Sequence, residues 1–178
     1  KGQDQILDSF ELLWSDGVNV SLVIVGKKGW GMENLANRLL SHAEYGNRLH
    51  WLDRISDEYL EKIYASCVCL IAASEGEGFG LPLIEAARHK IPVIARDIPV
   101  FREVAGEHAY YFKGSEPHVL ADTIQRWIEL CRQGSVPQSC GMPRLTWAQS
   151  AEQLMAAILD KPSAVSLNAI GKKRNVYK

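Results

Sequence analysis

Short apolar, β-branched runs alternate with helical stripes along nearly the whole chain, and no other feature restricts its fold as strongly. "QDQILDSFELLWSDG" sets Ile6, Leu7, Phe10, Leu13 and Trp14 on one helical face and stops at Gly17. "VNVSLVIVG" (18–26) then reads as a strand buried on both faces, ending at Gly26. A helix at about 31–43 around Leu35, Leu39 and Leu40 leads to a strand at "RLHWLD" (48–53). Ser56 opens the next helix, with Tyr59 where a capping box would carry Glu, and Asp57 and Glu58 suit its first turn electrostatically. Strands at "CVCLIAA" (67–73), "IPVIA" (91–95) and "AYYF" (109–112) follow. Helices at 81–90, near "VFREVAG", at 115–134 and at 146–160 accompany them.

That order predicts an α/β domain with a doubly wound, Rossmann-like parallel sheet, whose ligands bind at the carboxyl ends of its strands. Such a half normally starts on a central strand, whereas this sequence opens on "KGQ" and a helix, so its first strand is expected to be missing. The expected domain is 1–160. The segment 161–178 has no clear period and reads as a linker or docking tail with a basic end, for which a solvated role suffices.

With 178 residues, 47% of them hydrophobic, the chain is long enough for one sizeable core. A net charge of −1 argues against nucleic acid as a partner. No apolar run approaches the roughly 20 residues of a membrane helix, and residue 1 begins no signal-peptide pattern. Cys67 and Cys69 alternate along the apparent strand 67–73 and are expected on one core face, and Cys131 and Cys140 complete the set. Their spacing matches no zinc site, so reduced thiols in a cytoplasmic protein are expected. The five histidines are scattered, and the five tryptophans mostly lie on apolar faces, where packing explains them.

One stretch asks for more than packing. In "ASEGEGFGLPLIEAARHKIPVIA" (73–95), Glu77 and Glu85 flank seven residues that hold two glycines and a proline. Gly78 and Gly80 permit backbone conformations closed to other residues, and Pro82 suits a first helical turn. The amides of Gly80, Leu81 and Leu83 are then expected to face outward from a helix N-terminus, where a phosphate or diphosphate would sit. Carboxylates beside an anion repel it unless they address something else, and each can accept from two vicinal hydroxyls. A diphosphate with hydroxyls on both sides is a nucleotide sugar, with Glu85 on the ribose and Glu77 on the sugar to be transferred. The plainer reading is a common glycine-rich turn with Glu85 as a first-turn residue.

"EGFGLPLIE" resembles the Glu-x7-Glu signature of retaining nucleotide-sugar glycosyltransferases with the GT-B fold, a family containing many bacterial mannosyltransferases. The likeness extends through "VSLVIVGKKGW", "LHWLDRISDEYLEKIYASCVCLIAAS" and "EAARHKIPVIARDIPVFREVAGEHAYYF", over about residues 1–159. "KG" at the start resembles the end of the family's phosphate loop. The resemblance implies the C-terminal, donor-binding half of a larger enzyme, whose N-terminal domain would bring the acceptor and further catalytic groups. It implies Glu77 as the catalytic-site residue on the transferred sugar and Glu85 on the ribose. Backbone groups of Gly80 and Leu81 would hold the distal phosphate, with Lys1 on the diphosphate, and Gly78 and Phe79 would belong to the donor-binding turn. Gly26 would allow close approach of the donor, or is simply a strand-ending glycine. Ile55 and Asp57 fall where the family contacts the base, though Asp57 is equally a helix first-turn residue. Asp53 departs from the glycine usual in the family, which would narrow the base pocket.

With no Asp-x-Asp motif, helix amides and Lys1 would take the place of a metal, and no cofactor is expected besides the donor. The resemblance points to mannose from GDP-mannose, built into lipopolysaccharide of the O-antigen type. A glycan or lipid-linked glycan would accept it at the inner face of the cytoplasmic membrane. A UDP-sugar donor and a non-catalytic Rossmann-like binding module are the alternatives. A dinucleotide dehydrogenase is disfavoured, because "VGKKGWG" at the end of the first visible strand is not G-x-G-x-x-G.

Overall fold

A computed structural model describes residues 2–29, 33–143 and 147–159. It divides into two units, 1–143 and 144–178, so the last helix falls in the second unit, whereas the sequence reading set its boundary at 160. Residues 160–178, the expected tail, lie outside the described residues.

The first unit is built from α1 (Gln3–Ser15), β1 (Leu22–Val25), α2 (Glu33–Leu40), β2 (Leu49–Leu52), α3 (Asp57–Ser66) and β3 (Leu70–Ala72). It continues with α4 (Leu81–Arg88), β4 (Val93–Arg96), α5 (Pro99–Ala105), β5 (Tyr110–Phe112) and α6 (Pro117–Arg132), with short 3₁₀ turns at Gly106–His108 and Ser139–Gly141. Every expected element is present. The strands are shorter than the apolar runs that announced them, because only the inner residues of each run find a hydrogen-bonding neighbour.

All pairings are parallel. β1 lies beside β2 with Leu22 opposite Leu49, and β4 lies between β3 and β5 with Leu70 opposite Val93 and Ile94 opposite Tyr110. Among the described residues the expected single sheet is therefore two sheets, β1-β2 and β3-β4-β5.

β4 shows why both faces are covered. All four of its residues are buried, and they point alternately to two separate cores. Ile94 joins Leu7, Phe10 and Leu13 of α1, Leu22 and Ile24 of β1, and Leu120, Ile124 and Trp127 of α6. Val93 and Ala95 join Leu83, Ala86 and Ala87 of α4 and Phe101 of α5. Full burial of each large apolar side chain stabilises the fold by about 1.5–3 kcal/mol, so these two clusters hold the layers together. The predicted stripe of α1 is wholly buried.

One expectation about the strands is corrected. Cys67 is not in a strand; it ends α3, its amide donating to the carbonyls of Ile63 and Tyr64. Pairing with β4 begins only at Leu70, so Cys67 and Cys69 do not share a strand face. Cys69 packs against the first core cluster, and all four thiols are free. Of the tryptophans, Trp14 and Trp127 are buried and Trp51 is half-buried, while the side chains of Trp30 and Trp147 lie outside the described residues.

In the second unit, the helix α7 (Trp147–Leu159) forms where expected. No helix among the described residues is long and apolar enough to cross a membrane.

Candidate functional site

The turn 74–80 leaves the carboxyl end of β3 and enters α4. Its last residue, Gly80, caps that helix in the left-handed region, with φ 80° and ψ 35°. A Cβ there would sit 3.3 Å from Cδ1 of the buried Phe101 ring, so Gly80 is needed for its conformation and for the close approach of α5. Gly78 is different: its φ lies outside the left-handed region and a Cβ would meet nothing within 4 Å. Of the two glycines whose freedom the sequence offers, Gly80 uses the left-handed region and Gly78 does not.

The amides follow from this geometry. Leu83 donates to the carbonyl of Gly80 at 3.0 Å, closing a tight first turn, so its amide is not free for an anion as expected. Pro82 has no N–H. The amides of Gly80 and Leu81 make no hydrogen bond to any described residue. Two donors therefore remain at the positive end of α4.

A second helix begins against the residue that follows β3. Gly2, also left-handed at φ 74°, caps α1, and a Cβ on it would lie 2.1 Å from the carbonyl oxygen of Ala73. Only glycine lets α1 start against the end of β3, immediately before the turn. Lys1, the expected diphosphate ligand, lies outside the described residues.

Arg96 ties this edge together. Buried at the end of β4, its guanidinium donates to the carbonyls of Ala73 (3.0 Å) and Gly114 and to the side-chain oxygen of Gln5 on α1. It also lies 5.0 Å over the Phe112 ring. None of these partners is a carboxylate, and Arg96 makes no ion pair among the described residues. A buried cation neutralised by no acid raises the potential at the carboxyl edge of the sheet in favour of an anion. Sequence reading missed this residue, although a charge ending an otherwise apolar strand run was a visible signal.

Both glutamates are half-buried and held by neutral donors. Glu77 accepts from the hydroxyl of buried Ser74 at 3.3 Å. Glu85, in the second turn of α4, accepts from the phenol of Tyr64 on α3 at 2.7 Å. Phe79 and Leu81 are each 59% exposed on the turn between them. Two grooves of about 550 and 470 Å³ run along α1 and α6, and neither is lined by a residue of this turn. The candidate site is an open platform.

The remaining site residues lie at the ends of neighbouring strands. Gly26 follows β1 at φ 137°, its amide bonded to Leu52 and its carbonyl accepting from the Trp51 indole at 2.9 Å. Ser56 caps α3 by accepting from the Tyr59 amide, as the sequence indicated. Ile55 is half-buried beside it, and Asp57 is exposed on the first turn. Next to Asp53, the position that departs from the family, Arg54 takes the left-handed conformation (φ 55°) that a glycine would adopt freely.

Parallel strands in this order, with helices on both faces and a glycine-capped helix start at the carboxyl edge, define the class: the C-terminal half of a GT-B fold. The family model of the glycosyl transferases group 1 matches residues 1–133, and the chain belongs to that family. It is 51% identical over 155 residues to the serotype-specific mannosyltransferase WbdA of Escherichia coli, a match covering 87% of this chain and 19% of that protein. It is 33% identical over 99 residues to the O-antigen chain mannosyltransferase RfbU of Salmonella typhimurium, covering 56% of this chain and 27% of that one. The chain thus spans about a fifth to a quarter of the length of these relatives. Among solved structures it resembles the C-terminal domain of a glycosyl transferase group 1 family protein (LpcC) from Francisella tularensis. That likeness has a TM-score of 0.64 at 20% identity, over 76% of this chain and 73% of that one.

Proposed function

We propose that this chain is the donor-binding domain of a retaining glycosyltransferase that moves mannose from GDP-mannose onto a growing bacterial surface polysaccharide of the O-antigen type. The observation that carries the reading is the platform at the end of β3. Two unbonded amides at the start of α4 stand in the sequence between two half-buried carboxylates, and the start of α1 packs against the residue that follows β3. The names of the curated relatives, mannosyltransferases of O-antigen synthesis, support the sugar and the acceptor class.

In this reading the amides of Gly80 and Leu81 hold the distal phosphate, and Lys1 adds its charge. As the bond from sugar to phosphate breaks, charge gathers on the leaving diphosphate. Preoriented helix amides and the field of buried Arg96 stabilise that charge more than they stabilise the bound donor, which lowers the barrier. Glu85 accepts from the ribose hydroxyls. Glu77, steadied by Ser74, accepts from hydroxyls of the transferred mannose and sets the face it presents. Ile55 and Asp57 lie toward the base, and the loop after Gly26 borders the donor. The open platform leaves room for an N-terminal domain to close over the donor and bring a glycan or lipid-linked glycan acceptor, with the whole enzyme working at the inner face of the cytoplasmic membrane.

The test is made in the intact enzyme. Glu77→Ala is expected to abolish or severely reduce transfer. Glu85→Ala, losing hydrogen bonds to a charged acceptor worth about 1.5–3 kcal/mol each, is expected to weaken donor binding at least about tenfold. Calorimetry with GDP-mannose, GDP and UDP-glucose distinguishes the base. Full activity of both variants, or preference for UDP-glucose, would overturn the corresponding part of the reading. The chain by itself is expected to show no transfer.

A further inference from the structure

We infer that Tyr64 is the positioning residue of the ribose site, fixing the Glu85 carboxylate so that its remaining acceptor sites meet the two ribose hydroxyls. The inference rests on the donor-binding reading above. Glu85 is on α4 and Tyr64 on α3, and they are 21 residues apart in sequence. The phenol donates to Oε2 of Glu85 at 2.7 Å, a short bond to a charged acceptor. Oε1 has no partner among the described residues. An ionised carboxylate offers about four lone-pair sites; the phenol takes one, and two vicinal hydroxyls need two.

The phenol is itself held by two contacts of its ring. Its ring packs against the core cluster that contains Leu83 and Ala86 of α4. It also stacks on His89, with centroids 4.9 Å apart and planes within 5°. His89 is in turn tied back to α3, its Nε2 lying 3.1 Å from Oε2 of Glu61. Core and stack together leave the hydroxyl few positions. Burial, reinforced by Glu85, raises the phenol well above its usual pKa, so it remains a donor throughout the range in which an enzyme works.

The chemistry of the donor matters as much as its placement. A lysine or arginine here would pair with Glu85 and compete with hydroxyls for its charge. A neutral phenol orients the carboxylate while leaving its negative charge to the ligand. A glutamate has three side-chain torsions, and fixing them before the ligand arrives removes an ordering cost from binding. Tyr64 therefore acts on ribose recognition through Glu85, without touching the nucleotide.

The experiment measures binding of GDP and of 2′,3′-dideoxy-GDP to the chain by calorimetry, with the uridine pair in parallel because ribose is common to both donors. The ratio of the two affinities reads the ribose site alone; general loosening of the fold lowers both affinities and leaves the ratio unchanged. Wild type is expected to prefer the ribonucleotide by about tenfold or more. Tyr64→Phe is expected to reduce that preference roughly three- to tenfold, through weaker binding of the ribonucleotide with the dideoxy affinity unchanged. Glu85→Gln is expected to remove most of it. If Tyr64→Phe keeps the full preference while Glu85→Gln loses it, the positioning role is wrong and the donor reading stands. If wild type shows no preference, or Glu85→Gln keeps it, the donor reading fails and the inference fails with it. Should Tyr64→Phe not fold, His89→Leu removes the stacked ring and is expected to lower the ratio in the same direction; an unchanged ratio there refutes the inference.

Discussion

Replacing Gly80 by alanine tests the backbone on which the candidate phosphate seat depends. At φ 80° an alanine sits in the left-handed region, which costs an L-residue roughly 1–2 kcal/mol. Its Cβ would stand 3.3 and 3.4 Å from two ring atoms of Phe101, a side chain only 1% exposed and packed in the second core cluster. The ring must yield by a few tenths of an ångström in a close-packed interior, which adds a smaller penalty. The total is about 2 kcal/mol, or roughly 4–8 °C in melting temperature for a chain of this size. Gly78→Ala is the matched control, because its φ and its surroundings both accept a methyl group. It is expected to be neutral, or stabilising by up to about 1 kcal/mol through the unfolded chain. Thermal melts followed by circular dichroism compare the two. If both variants melt together, or Gly78→Ala is the weaker protein, the assignment of the left-handed cap to Gly80 is wrong.

Two further outcomes follow from side-chain chemistry. Asp97 takes a two-pronged pair of hydrogen bonds from Arg102 at 2.7 and 3.0 Å. These bonds, with Lys113 nearby, bring its carboxyl to about 2 from an ordinary 3.8. Because the folded value is the lower one, the stabilisation is present above about pH 4 and disappears as pH falls through about 2. In Arg102→Met the carboxyl resonance of Asp97 should titrate near its ordinary pH; an unmoved titration would refute the pairing. The thiols should differ in reactivity. Burial pushes Cys69 up to about 12 and raises Cys67, while Cys131 and Cys140 are exposed. Iodoacetamide at mildly alkaline pH should therefore label Cys131 and Cys140 first and Cys69 last, as followed by mass spectrometry. Labelling of Cys69 at the rate of Cys140 would contradict its burial.

How far the sequence could be read depended on how local each feature is. The α1 stripe, the stop at Gly17 and the Ser56 cap are set by neighbours within a turn or two, and each is present as expected. The strand 67–73 misled because α3 claims Cys67 for its last turn, and apolar composition does not reveal where pairing with β4 begins. Within the candidate site, the spacing of Glu77 and Glu85 and the helix start at Leu81 were legible. Which glycine is left-handed was not, since both sit in the same polar turn and only the approach of Phe101 distinguishes them.

By itself, the sequence determined the order of strands and helices, the faces they bury and the place of the two acids around a helix start, because periodicity and capping act over a few residues. Tertiary structure alone decided which groups meet at that place. Tyr64 reaches Glu85 across 21 residues, and Arg96 reaches Gln5 across 91. Such contacts arise only when helices from distant parts of the chain pack on the same strands, so no local pattern encodes them.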